Sequence, residues 1–138
     1  MSEADNMRAL LKAEVVPALR TMEFKGSFPH FHRVRGDHVD LLWFTFGSAG
    51  ESFAVELSYA DSARANVYFH PETPPEQLRV SQTTQRHRLG AGNAGGDFWF
   101  AFVGRRHVGM SGKPPKLAAE VRRLLSTEGE EWWRGRAS

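Results

Sequence analysis

Residues 39–46, VDLLWFTF, followed by Gly47-Ser48-Ala49-Gly50 and then residues 52–59, SFAVELSY, decide the fold. In an extended chain successive side chains point to opposite faces. Val39, Leu41 and Trp43 then share one face, and Leu42, Phe44 and Phe46 share the other. A strand that is apolar on both faces belongs in the middle of a sheet, with cover on both sides. The small residues from Gly47 to Gly50 read as a hairpin loop. Beyond them Phe53, Val55, Leu57 and Tyr59 alternate with Ser52, Ala54, Glu56 and Ser58, the pattern of a half-buried strand. Upstream, residues 28–34 predict a further short strand, closed by a tight turn at Arg35-Gly36-Asp37. Three such strands in succession predict an antiparallel meander.

Helical periodicity frames this sheet. Between residues 6 and 22, Met7, Leu10, Leu11, Val15, Ala18, Leu19 and Met22 fall at i, i+3, i+4 spacing, which predicts an amphipathic helix lying on the sheet. Pro17 lies inside it and predicts a kink or break. Phe24-Lys25-Gly26-Ser27 turns the chain out of the helix. After a short strand at Val67-Tyr68-Phe69, the run Thr73-Pro74-Pro75-Glu76 has the form of a helix start, with Thr73 as N-cap, Pro74 first in the helix and Glu76 bonding back. Arg86-His87-Arg88-Leu89 and residues 98–103 predict two more strands, joined by the glycine-rich loop 90–96. Pro114-Pro115 opens a helix with Leu117, Ala118, Val121, Leu124 and Leu125 on one face, and residues 127–133 continue it or form a terminal turn. The expected fold is α+β: an antiparallel, meander-like sheet of about five to six strands with an N-terminal and a C-terminal helix packed on it, in a single domain over residues 1–138.

Composition narrows the function classes. With 138 residues, 41% of them hydrophobic and 12% aromatic, the chain can bury a core without staples. It has no cysteine, which removes disulfides, thiolate metal sites, iron–sulfur clusters and a thiol nucleophile. Eighteen basic residues against 16 acidic ones leave a net charge of +2, a weak overall field that is poor evidence for nucleic acid as the partner. No stretch approaches the ~18 apolar residues of a membrane span. The polar, acidic start is the wrong chemistry for a signal peptide, so the cytoplasm is the expected location.

Five features invite a chemical reading. The loop from Gly90 to Gly96 lacks the Gly-Lys-Ser/Thr ending of a phosphate-binding loop and runs into Asp97-Phe98-Trp99-Phe100, so it reads as a flexible hairpin loop. His30 and His32 lie two apart on one strand face; a third ligand, His38 or Asp37, would be needed to hold a metal, and otherwise they belong to a half-exposed edge strand. Arg86 and Arg88 share a face with His87 opposite. If the strands carrying Arg86-His87-Arg88 and Arg105-Arg106-His107 are neighbours, the two clusters form one positive patch; the alternative is that these arginines pair with acids such as Glu56 and Asp97. Serines are present, but there is no Gly-x-Ser-x-Gly elbow and no catalytic carboxylate pair, so no catalytic residue and no cofactor is expected. Trp132 and Trp133 are adjacent, so one packs on the domain and the other is a partner anchor, Trp133 being the candidate, unless both close the sheet. The partner-binding candidates are therefore Arg86, Arg88, Trp99, Arg105, Arg106 and Trp133.

The order VVPALRTMEFKG, FPHFHR, VDLLWFTFG and SFAVELSY resembles a family of small bacterial proteins, domain-of-unknown-function family 4304. Its members open with a helix ending in a Gly-Phe-Lys type of turn and continue into an antiparallel meander. An Arg-rich strand followed by an Asp-x-Trp segment is similar to Arg86-His87-Arg88-Leu89-Gly90 and Asp97-Phe98-Trp99 here. The similarity spans roughly residues 10–102. Glu23 departs from it, because the family usually places glycine before the phenylalanine, and the C-terminal helix with its tryptophan pair is less clearly matched. The resemblance implies no established activity. Small cysteine-free α+β proteins of this type often stand beside secreted bacterial toxins as immunity proteins. The expectation is thus a non-enzymatic binding protein, in its sharpest form toxin-neutralising, whose protein partner presents an acidic surface. The alternatives are a nucleic-acid-associated module using the basic face of residues 79–106, and an enzyme of unrecognised class.

Overall fold

A computed structural model describes residues 2–68, 72–104 and 108–136. The fold is α+β, with helices from both ends of the chain and a mostly antiparallel open sheet. Helix α1 (Glu3–Glu14) starts earlier than its apolar periodicity suggests. Ser2 caps it, accepting a hydrogen bond from the Asp5 N–H, while Asp5 bonds back to Ser2. The break falls at Val15, so that Pro17 sits in the first turn of α2 (Val16–Thr21), where its missing N–H costs nothing.

Helix α2 closes through Glu23, which has φ 75°. The Glu23 N–H bonds to Arg20 O and the Phe24 N–H reaches back to Leu19 O, both at 2.9 Å, while Phe24 and Leu19 are buried in one core. This left-handed closure favours glycine. Glu23→Gly is expected to stabilise the fold by about 1 kcal/mol, read as a higher urea midpoint at unchanged slope. A lower midpoint would mean that the Glu23 side chain contributes more than its backbone strain costs.

Strand β1 (Lys25–Ser27) is the first departure from the expected plan. Residues read as a simple turn instead pair with β2 (His30–Arg35), opposite His32, Phe31 and His30. Strands β3 (His38–Phe46) and β4 (Ser52–Ala60) continue the meander, with Leu42 opposite Leu57 and Phe44 opposite Val55. One face carries Phe31, Leu42, Phe44, Phe53, Val55 and Leu57 into the main core beneath the helices, where Met7, Leu11, Leu19, Leu117, Val121 and Leu125 meet them. The expectation for β3 holds, since Phe44 is buried and Trp43, on the other face, is half-buried. Strand β4 is buried on both faces over nearly its whole length rather than half-buried. Its small residues Ala54, Ser58 and Ala60 let the chain cross closely above the second face.

That second face is covered by residues from the stretches 61–68 and 72–85, not by an α-helix. Leu78 and Val80 drop onto Val39, Leu41 and Ala60 as a second, smaller core. Thr73 caps nothing. Pro74 stands at the cap position of a single 3-10 turn, Pro75–Gln77, because Leu78 is already extended so that it and Val80 can reach the sheet. The strand expected at 67–69 is a lone bridge between Val67 and Thr83, with Phe69 outside the described residues.

The largest correction concerns the next strands. β5 (Arg86–Arg88) and β6 (Trp99–Ala101) do not pair with each other; both pair with β4, end to end along its outer edge. Nine-residue β4 offers room for both, and β7 (Gly109–Ser111) then adds in parallel to β6. The C-terminal helix runs as α3 (Pro114–Leu124), a π-helical turn (Leu125–Gly129) and α4 (Glu130–Arg136). Among the described residues no helix is long and apolar enough to cross a membrane.

Candidate binding site

Alternation along β5 sends Arg86 and Arg88 to one face of the sheet and His87 to the other, as the sequence implies. On the arginine side the structure brings Arg88, Asp97 and Trp99 together. Arg88 Nη1 donates to Asp97 Oδ1 at 2.6 Å, and its Nε lies 3.5 Å from Glu56 Oε1. The guanidinium stands 5.0 Å from the Trp99 ring centroid, and Trp99 Nε1 donates to Asp97 Oδ2 at 3.0 Å. Arg88 is thus neutralised by the two acids that sequence reading set against it. Among the described residues Arg86 bonds only to the backbone carbonyls of Thr83 and Ser81, and no carboxylate pairs with it. Glu56, Arg86, Arg88 and Asp97 line a shallow cleft of about 380 Å³ together with Gly95 and Gly96. Arg105 and Arg106 lie outside the described residues.

The opposite side of β5 holds a cluster that the sequence did not reveal. His87 Nε2 lies 2.7 Å from Glu128 Oε2, and the same oxygen accepts the Gly90 N–H at 2.9 Å. The His87 ring stacks on Trp132 at 5.6 Å and 17°. Arg136 lies over the Trp132 ring at 5.0 Å, and Tyr59 meets it edge-on. Gly90 is required here. Its φ is +103°, and a β-carbon would meet the Phe98 ring at 2.5 Å. Glu128 stands in the π-helical turn against β5, and the helical rotation of α4 sends adjacent Trp132 and Trp133 in different directions. His87, Asn93, Arg123, Glu131, Trp132 and Arg136 line the resulting cleft of about 660 Å³. His87 and Glu128 are 41 positions apart, so no spacing could have joined them.

The tryptophan assignment is reversed. Trp133 is wholly buried, with Nε1 donating to Ser58 O at 3.0 Å and its ring 5.0 Å from Phe24, so it is core and not an exposed anchor. Trp132 is the half-exposed member of the pair.

No family model, curated protein or solved structure matches the chain. The site is therefore read from its own chemistry.

His30 and His32 do share a face, beside a groove of about 490 Å³ between the β1–β2 hairpin and the turn at Glu76. The third ligand does not arrive, because His38 points to the helix face and bonds Asp40. Among the described residues no three His, Asp or Glu groups converge to hold a metal. The His30 ring instead stacks on Trp43 at 5.8 Å, with Nδ1 buried and unbonded. Desolvation holds both imidazoles below their ordinary pKa, with Arg79 adding to the effect at His30.

Proposed function

We propose that the chain is a non-enzymatic binding protein that docks an acidic surface of a protein partner. Toxin neutralisation by a cytoplasmic bacterial protein of the family 4304 type is its sharpest form. The observation that supports this reading is a pair of arginine-stacked tryptophans on either side of the glycine loop. Arg88 lies on Trp99 and Arg136 on Trp132, with His87 lining both clefts. Tryptophan and arginine are the side chains that dominate interface energetics, and both rings stand on strand and helix rather than on loops. Rigid presentation reduces the ordering cost of association.

Charge selects the test. Arg88→Glu would crowd Glu56 and Asp97 and disturb the fold, whereas Arg86 has no carboxylate partner among the described residues. Arg86→Glu is expected to slow association with the partner that co-purifies from the native host by about three- to tenfold at low salt, with the melting curve unchanged. The difference should shrink as salt screens the charge. Micromolar or tighter binding to random duplex or single-stranded oligonucleotides at physiological salt, lost in Arg86→Glu, would put the nucleic-acid reading first.

A further inference from the structure

The cleft over Trp132 holds an arginine of its own chain. Arg136 stacks on the ring at 5.0 Å, and among the described residues no carboxylate pairs with it. The same cleft is lined by Glu128 and Glu131. Glu128 engages His87 and Gly90 through Oε2 alone, and the exposed Glu131 pairs with no cation among the described residues. The remaining cation of the lining, Arg123, is turned to Glu120, with Nε 2.9 Å from Oε1. An aromatic ring and two under-used carboxylates lining one cleft are the chemistry that holds a cation.

We propose that this cleft receives an arginine side chain of a protein partner, and that Arg136 fills it in cis while the protein is free. Arginine fits better than lysine because a planar guanidinium can lie on the indole while its edge N–H groups reach the carboxylates. Arg136 is exposed in the last turn of α4 and can leave without unpacking the core. The inference is independent of which protein docks, since a free arginine derivative tests it.

The measurement is the indole N–H resonance of Trp132, assigned with Trp132→Phe and titrated with argininamide and, separately, with N-acetylglutamate. Stacking at an exposed ring favours the closed form by a factor of about two to five. Arg136→Ser is then expected to tighten argininamide by about three- to sixfold, because the cleft is no longer occupied in cis. Glu131→Gln is expected to weaken it in either background. An argininamide shift that does not saturate, or an affinity that Arg136→Ser leaves unchanged or weakens, would overturn the proposal. So would saturable binding of N-acetylglutamate in its place, which would make Arg136 a receptor for anions and not an occupant.

Discussion

Replacing Trp133 by alanine is expected to lower the stability of the fold by about 3–5 kcal/mol, the largest effect of any single truncation in the C-terminal helix. The ring is wholly buried, lies 5.0 Å from Phe24 and carries the Arg33 guanidinium at 5.3 Å on its surface. Its Nε1 closes on the carbonyl of Ser58, in strand β4. Truncation therefore opens a cavity, leaves a strand carbonyl without its donor and strips one wall from a buried cation. Calorimetry should show the melting temperature falling by about 10–20 °C. Trp133→Phe keeps most of the packing and isolates the hydrogen bond, at about 1–2 kcal/mol. An alanine variant that melts with the wild type would show that the helix does not depend on this ring for docking.

What the sequence made legible, and what it hid, follows from the range of the forces involved. Alternation over residues 39–46 and 52–59 fixed the central strands, because a two-residue period is local and each face must bury its own side chains. The break near Pro17 was equally local. The fate of β5 and β6 was not. Arg86-His87-Arg88 and Trp99-Phe100-Ala101 both look like hairpin partners, yet which strand each pairs with depends on free edge length along β4, a property of the assembled sheet. Thr73-Pro74-Pro75-Glu76 carries helix-start chemistry, but the uncovered face of β3 draws Leu78 and Val80 down in extended chain and outweighs it. At the site, Arg86, Arg88 and Trp99 were legible as residue types on one strand and its successor. His87 with Glu128, and Trp132 in place of Trp133, depended on how a helix more than 30 residues away rotates against the sheet, and a π-helical turn sets that rotation.

The buried charges beneath that helix are expected to be as costly to break as the tryptophan. Asp40 is fully buried in β3. Its Oδ2 accepts from Arg33 Nε at 2.9 Å and forms an ion pair with Arg35 Nη2 at 2.9 Å, and its Oδ1 lies 3.0 Å from His38 Nε2. Arg33 in turn clamps Glu130 of α4 through Nη1 and Nη2, at 3.1 and 2.7 Å, and donates to Met22 O. Burial works against the Arg33 charge, but hydrogen bonds to Glu130 and Asp40 outweigh it and hold its pKa above the ordinary arginine value. Asp40→Asn turns an amide N–H₂ toward donors and leaves Arg33 short of a counter-charge, so a loss of about 3–5 kcal/mol is expected in urea unfolding. The cost reflects the group left stranded and not the net worth of the pair. Arg33→Met together with Asp40→Leu should therefore recover much of what either single change loses, because Glu130 and Arg35, 30% and 41% exposed, can turn to water. A double-mutant cycle decides it. Additive losses would mean that Arg33 and Asp40 stabilise the fold separately, Arg33 through Glu130 of α4 rather than through its pairing with Asp40.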